Sequence, residues 1–148
     1  MRLLYFSRDY TPHDYRILSA LAGTNWQTAY LRLERNSHPL EKRALPPEVE
    51  IIQWHGGQRL ARLIDGLPLL IDLKKVIRRT RPDVILAGPL QRCAFLVALS
   101  GFKRLVSMSW GYDLLIDAQR SLTWAWATRY TLQRSACLLY TSPSPRDS

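Results

Sequence analysis

The sequence LVSMSWGYDLL, which runs from Leu105 to Leu115, is the stretch that most clearly indicates the fold of this chain. Residues 105–108 are apolar, uncharged and prone to β-structure, which is typical of a strand buried on both faces of a sheet. Residues 109–113, SWGYD, then bring two polar groups, two aromatic rings and a glycine together. Because ligands bind beyond the carboxyl ends of strands in open α/β sheets, we expect the functional site here.

The rest of the chain alternates between short apolar runs and segments with helical periodicity. The pattern predicts four further strands, at Arg2–Phe6, Ala29–Leu33, Val49–Trp54 and Val84–Ala87. It predicts helices after residue 11, over residues 69–81, over Leu90–Ser100 and over Ala118–Arg134. Strands that alternate with helices at this rhythm indicate an α/β fold, a Rossmann-like doubly wound parallel sheet in three layers, α/β/α.

Two of the predicted helices carry clear boundary signals. Thr11 suits the N-cap of the first helix, Pro12 its first helical position, and Asp14 completes a capping box. The helix with apolar residues repeating from 69 to 77 has to end near Arg81, because the residue before a proline disfavours helical angles. For the last helix the spacing places Leu122, Ala125, Trp126 and Tyr130 on one side.

The composition is that of an ordinary globular domain. Of the 148 residues, 47% are hydrophobic and 22% charged, and no apolar run approaches the roughly 20 residues that span a bilayer. The amino-terminal apolar stretch is too short for a signal peptide, so we expect a cytoplasmic protein. Cys93 and Cys137 lack metal or redox spacing, and Cys93 is expected to be a buried small residue.

The formal net charge of +9 leaves several interpretations open. The densest basic run contains Lys74, Lys75, Arg78 and Arg79. It is typical of a solvated helix face, and it is also compatible with attraction to anionic lipid head groups at a membrane surface. Nucleic acid is not expected as a partner, because no aromatic-plus-basic binding motif accompanies the charge.

The carboxyl-terminal stretch CLLYTSPSPRD, from residue 137 to 147, interrupts the pattern. A further strand is due here, and Leu138–Tyr140 suits its beginning, but the prolines that follow do not continue it. The string resembles the translation of a transposase adapter from sequencing libraries. We therefore expect a domain over residues 1–136 and a non-native tail over 137–148; a genuine flexible Pro/Ser linker is the alternative.

Several segments together resemble the amino-terminal domain of family 4 glycosyltransferases. They are Ser7-Arg8-Asp9-Tyr10 with the helix start at residues 13–16, Arg81-Pro82-Asp83-Val84-Ile85, and the SWGYDLL segment. The resemblance implies a single incomplete domain of the GT-B fold, which holds a sugar, lipid-linked or other hydroxyl acceptor. It also implies a retaining enzyme whose nucleotide-sugar donor binds in a carboxyl-terminal domain that this fragment lacks, so the fragment alone is expected to be inactive.

The resemblance also assigns roles to residues of the SWGYD segment. Trp110 stands where the family often has a histidine, and Gly111 and Asp113 match the family pattern. Asp113 is the candidate catalytic residue, orienting an acceptor hydroxyl or acting electrostatically, with an N-cap role as its alternative. Trp110 is expected either to stack on a sugar ring or to pack in the ordinary way, and Gly111 to line the acceptor site.

Four further residues are candidates for acceptor contact. Asp9 and His13 follow the first strand, where His13 is either a ligand-binding group or a surface residue at a helix start. Arg16 suits an anionic acceptor group or a surface ion pair. Gln91 follows a central strand and is expected to hydrogen-bond a sugar or to face solvent. Neither a metal site nor a bound cofactor is expected, and the lack of a glycine-rich fingerprint argues against an NAD enzyme.

Two other functions are also compatible with the sequence. One is a non-catalytic Rossmann-like module that docks on anionic membrane through Lys74, Lys75, Arg78 and Arg79, as a peripheral protein. The other is a small stand-alone regulator with a flavodoxin-like fold. The fold alone does not choose between them, because Rossmann-like sheets carry many functions.

Overall fold

The computed structural model describes residues 1–33, 41–54, 66–109 and 115–140. Its strands are β1 (Arg2–Ser7), β2 (Gln27–Arg32), β3 (Glu50–Ile51), β4 (Val84–Gly88), β5 (Leu105–Ser109) and β6 (Cys137–Tyr140). Its α-helices are α1 (Pro12–Ala22), α2 (Gly66–Thr80), α3 (Cys93–Ser100) and α4 (Leu122–Arg134), with a short 3₁₀ helix at Asp117–Gln119.

The six strands form one parallel sheet in the order β3-β2-β1-β4-β5-β6. This confirms the predicted α/β class with a Rossmann-like doubly wound sheet. From β1 the chain first moves outward through β2 and β3, then returns to the other side of β1 and continues through β4, β5 and β6. The point where this direction reverses lies between β1 and β4, and all carboxyl ends of the strands lie at one edge.

Helices cover both faces of the sheet and bury separate cores. On one face, Leu18 of α1 packs with Leu3, Tyr5 and Tyr30. On the other face, α2 and α3 pack over Leu4, Phe6 and Ile85, with Leu73 of α2 and Cys93 of α3 fully buried. Cys93 is therefore buried, as predicted, and the arrangement has the three expected layers, α/β/α.

Local sequence signals explain how α1 and α2 begin and end. Thr11 has extended backbone angles and accepts a hydrogen bond from the backbone N–H of Asp14, whose carboxylate accepts one from the Thr11 N–H. The predicted capping box is thus confirmed. Helix α2 ends at Thr80, and Arg81 then takes a left-handed φ of 46°, in agreement with a helix end forced by the following proline.

Three predicted elements are shorter than expected. Strand β3 covers two residues instead of Val49–Trp54, because Ile52 and Trp54 turn into the core and the Trp54 indole N–H donates to the Arg32 carbonyl. Helix α3 begins at Cys93 rather than residue 90, after a turn in which two backbone N–H groups donate to the Pro89 carbonyl. The helix predicted over 118–134 is divided, because the Ser121 side chain caps a new helix at Leu122.

The predicted apolar side of α4 faces largely outward. Leu122 is 91% exposed and Trp126 55% exposed, while the buried residues of the helix are Ala127, Thr128 and Thr131. The Thr131 hydroxyl contacts the Leu90 carbonyl at 3.1 Å, and Thr128 accepts a hydrogen bond from Gln91. Helix α4 is therefore attached to its neighbours both by these hydroxyl groups and by edge-to-face contacts of Trp126 and Tyr130 with Phe95 of α3.

The predicted domain boundary at residue 136 lies immediately before β6. Cys137–Tyr140 pairs in parallel with β5, with Cys137 opposite Val106 and Tyr140 opposite Ser109. Residues 141–148, which hold the serine- and proline-rich part of the predicted non-native tail, lie outside the described residues. Within the described part of the chain, every helix is too short or too polar to cross a bilayer.

Candidate functional site

A crevice of about 240 Å³ opens where the chain direction reverses, at the carboxyl ends of β1 and β4. Its lining comes from the turn after β1, the first turn of α1 and the end of β4, and consists of Ser7, Arg8, Asp9, Thr11, His13, Asp14 and Pro89. This is the position at which doubly wound sheets bind ligands. The crevice is therefore the candidate functional site.

The turn after β1 is held in place by bonds to its backbone. The Ser7 carbonyl accepts a hydrogen bond from the Leu33 N–H at 2.9 Å, and the Ser7 hydroxyl donates to the Asp9 carbonyl at 2.9 Å. The buried hydroxyl of Ser7 also lies 3.0 Å from that of Tyr30. Since these bonds tie the turn to β2, the lining of the crevice is organised before any ligand binds.

Asp14 is a buried carboxylate beneath the crevice, and its bonds within the protein engage both of its oxygens. The Tyr5 hydroxyl donates to one oxygen at 2.5 Å, and the N–H and hydroxyl of Thr11 donate to the other at 2.8 and 2.7 Å. Burial raises the pKa of the Asp14 carboxyl above its usual range, although the hydrogen bonds from Tyr5 and Thr11 act in the opposite direction. Asp14 therefore shapes the first turn of α1 and does not serve as a free acceptor for a ligand.

Asp9 lies in the wall of the crevice and forms an ion pair with Arg32 of β2. The guanidinium of Arg32 donates to Asp9 Oδ1 at 2.9 Å, and both side chains are largely shielded from solvent. The ion pair fixes the orientation of the carboxylate. Asp9 is thereby a positioned hydrogen-bond acceptor at the edge of the site.

The charges around the crevice do not favour one sign of ligand. Asp9 and Asp14 supply carboxylates, Arg8 a guanidinium, and His13 a half-buried imidazole. The N-terminus of α1 offers little to an anion, because the Thr11 side chain engages an amide of the first turn and Asp14 lies in that turn. The arrangement suits a neutral ligand with several hydroxyl groups better than a phosphate.

The structure brings only two of the four predicted contact residues near β1 and β4 into the crevice. Asp9 and His13 line it. Arg16 lies one turn further along α1, is exposed, and is not part of the lining. Gln91 is buried rather than solvent-facing, because its amide donates to the Thr128 hydroxyl at 2.7 Å and joins the turn before α3 to α4.

The remaining predicted residues, Trp110, Gly111 and Asp113, lie outside the described residues. The residue that precedes them, Ser109, is described: it ends β5 at the same edge of the sheet as the crevice. Strand β4 alone separates β5 from β1 in the sheet. The carboxyl end of β5 therefore lies at the same edge of the sheet as Asp9 and His13.

A second cavity of about 350 Å³ lies beside the crevice, at the ends of β2 and β3. Tyr10 and Leu45 contribute to its lining, and Arg32 separates it from the crevice through the pair with Asp9. In the segment that covers it, Arg43 hydrogen-bonds Glu41 and lowers the pKa of that carboxyl to about 2. This ion pair joins two neighbouring residues of the segment that leads into β3.

Sequence reasoning missed Arg8, Ser7 and Pro89 as lining residues. Both Ser7 and Arg8 could have been found from one signal, since Ser7 ends the first strand, Arg8 follows it, and the reversal of chain direction lies beside that strand. Pro89 follows β4 in the same way, and the Gly88–Pro89 peptide is cis. The general rule is that the first residues after both central strands belong to the site.

The described residues contain no group of three or more histidine, cysteine or acidic side chains that could hold a metal ion. Comparison of the chain with models of known protein families and with curated proteins gave no match. The assignment of function therefore rests on the crevice and on the sequence segments that surround it.

Proposed function

We propose that this chain is the acceptor-binding half of a retaining glycosyltransferase that transfers a sugar from a nucleotide-sugar donor to a hydroxyl acceptor. The observation that carries the proposal is the crevice between β1 and β4, lined by Asp9 and His13 at the edge from which the SWGYD segment departs. The acceptor would be a glycan or a lipid-linked sugar. The donor would be held by a second domain facing this edge.

The chemistry of the crevice supports a polyhydroxyl acceptor. The lining includes the carboxylate of Asp9, the imidazole of His13 and the guanidinium of Arg8, so it combines hydrogen-bond acceptors and donors suited to a sugar. The ion pair with Arg32 holds Asp9 in one orientation, which favours selection of a particular hydroxyl. Transfer would depend on positioning the acceptor and stabilising the departing diphosphate, and the second domain would supply most of that stabilisation.

In this proposal Asp9 and His13 contact the acceptor directly. Asp113 is the proposed catalytic residue, orienting the attacking hydroxyl or acting electrostatically, and Trp110 stacks on a sugar ring. Arg16 and Gln91 are given no contact with the acceptor, since neither lines the crevice.

The first test measures acceptor binding by ligand-observed NMR with a panel of neutral glycosides and the corresponding sugar phosphates. We expect weak binding of neutral glycosides and a loss of about fivefold or more on His13→Ala, because a truncated side chain removes a hydrogen bond of about 1 kcal/mol or more. Glu48→Gln, an exposed change remote from the crevice, is the matched control. Binding that is equal in both variants, or restricted to sugar phosphates, would contradict the proposal.

The second test addresses activity with the reading frame extended past residue 136. An enzyme restored in this way should transfer sugar from at least one nucleotide donor and lose that activity on Asp113→Ala. A folded, extended protein that hydrolyses and transfers nothing from any nucleotide sugar would rule out the transferase and favour a non-catalytic, peripheral membrane module. What supports that alternative is the exposure of Lys74, Lys75 and Arg78.

A further inference from the structure

Helix α2 presents an outward stripe that combines apolar and cationic side chains. Leu67, Ile71, Lys74 and Arg78 are spaced by four, three and four residues, so they lie on one side of the helix. Leu67 is 68% exposed and Ile71 is 48% exposed, and both basic residues are exposed. We call these four residues the α2 stripe.

The opposite side of α2 is fully committed to the core. Leu69, Leu73 and Val76 are buried against the sheet, which fixes the rotation of the helix. The α2 stripe therefore cannot turn inward without removing these residues from the core. Leu67 and Ile71 therefore stay exposed as long as α2 is packed in this orientation.

The charge around the stripe is strongly one-sided. Lys75 lies beside it and is exposed, and Arg79 follows on the same flank, where its guanidinium donates to the Gln53 carbonyl at 2.9 Å. Asp72 is the single acidic residue in the sequence of α2. The net charge of +9 for the whole chain adds a long-range attraction to negatively charged surfaces.

We propose that the α2 stripe docks this protein on membranes that contain anionic phospholipids. Leu67 and Ile71 enter the boundary between head groups and acyl chains, while Lys74, Lys75 and Arg78 bind lipid phosphates. Leu67 and Ile71 favour lipid over nucleic acid as the partner. A nucleic acid in water gains no binding energy from contact with two exposed aliphatic side chains. The inference does not depend on sugar transfer, and its tests need no enzymatic activity.

The orientation of α2 relates this surface to the crevice. The helix ends at Thr80, just before β4 begins, so its basic end lies at the amino edge of the sheet. Its 15 residues span about 22 Å at 1.5 Å per residue. Leu67 therefore lies toward the carboxyl edge of the sheet, the edge at which the crevice opens.

The experiment measures co-sedimentation of the whole chain with vesicles of phosphatidylcholine, alone or mixed equally with phosphatidylglycerol. The variant Lys74→Ala/Lys75→Ala/Arg78→Ala removes three cations from the docking surface. Each removed cation should lower the partition coefficient about fivefold, so the triple variant should bind anionic vesicles about a hundredfold more weakly. The matched control Lys42→Ala/Arg120→Ala/Arg129→Ala removes the same charge from exposed positions elsewhere and should lower binding far less.

A second variant, Leu67→Ser/Ile71→Ser, separates lipid from other polyanions. Both positions are exposed, so the fold should be retained, which far-UV circular dichroism checks. We expect this variant to lose vesicle binding, most clearly at about 1 M salt, where charge attraction is screened, and to keep its retention on a heparin column. Equal losses in the two triple variants, equal binding to neutral vesicles, or unchanged vesicle binding in the serine variant would overturn the proposal.

Discussion

The first and last βα units of this sheet are held together in different ways. In the first unit, Leu18 of α1 is fully buried, and the cap of the helix is closed by bonds in both directions between Thr11 and Asp14. In the last unit, α4 exposes Leu122 and turns the hydroxyls of Thr128 and Thr131 inward. Its aromatic contact with α3 is made by the partly exposed rings of Trp126 and Tyr130 against Phe95.

The difference shows that two units with the same topology can rest on different forces. The buried positions of α1 are the hydrocarbon side chain of Leu18 and the hydrogen-bonded carboxylate of Asp14. The buried positions of α4 are small or hydroxyl-bearing residues, so hydrogen bonds whose geometry must be met carry more of its attachment. The crevice lies beside the firmly packed unit. The candidate site therefore lies beside the βα unit whose helix is fixed by a closed cap and a fully buried leucine.

The largest expected effect compares the same substitution in the two helices. Leu18→Ala should destabilise the protein by about 3 kcal/mol, since it opens a cavity in the core beneath α1. Leu122→Ala should change the free energy of unfolding by less than about 0.5 kcal/mol, because that side chain is 91% exposed. Urea denaturation measures both values, and similar costs would show that the contrast between the two units is false.

The next effect compares the two N-caps. Thr11→Ala should cost about 2 kcal/mol, because it removes the cap and one donor to the buried Asp14 carboxylate. Ser121→Ala should cost about 0.5 kcal/mol, since the cap of α4 is exposed and has a single bond, from the Trp124 N–H. Thermal unfolding of both variants measures the difference, and a larger loss at Ser121 would reverse the comparison.

The smallest expected effect is a pH dependence of the free energy of unfolding that comes from Asp14 in the first βα unit. Burial raises the pKa of Asp14, so the folded protein binds a proton there more readily than the unfolded chain. Relative to Asp14→Asn, the unmodified protein should gain stability as the pH falls from neutral toward the usual aspartate value near 4, and lose it again as the pH rises.

Urea midpoints of both proteins, measured between pH 7 and about pH 4, test this dependence. The difference between the two proteins is the quantity to follow, because titration of other groups, such as Glu41, then cancels. If the Asp14→Asn variant instead became more stable relative to the unmodified protein as the pH falls, the raised pKa of Asp14 would be contradicted.

Local signals were sufficient to predict the sheet, the capping box at Thr11 and the end of α2 before Pro82. They did not predict that α4 turns Thr128 and Thr131 inward, because that choice depends on Gln91 and the Leu90 carbonyl, which are distant in sequence. The bond from the Trp54 indole to the Arg32 carbonyl, beyond the end of β3, likewise joins residues that are distant in sequence.

The same distinction applies to the candidate site. Asp9 and His13 were predictable because they lie in the turn after β1 and at the start of α1, which follow the first strand in the sequence. Arg16 is only three residues beyond His13, yet the helix carries it away from the crevice onto an exposed surface. Gln91 has the sequence position of a ligand contact, and only the fold reveals the threonine of α4 that engages its amide.

The strand order β1-β4-β5 also sets a length. Adjacent strands lie about 4.8 Å apart, so the carboxyl ends of β1 and β5 are separated by about 10 Å. A molecule that contacts both Asp9 and the chain directly after Ser109 has to bridge that span. Under the proposed function, this distance favours an extended acceptor over a single small group.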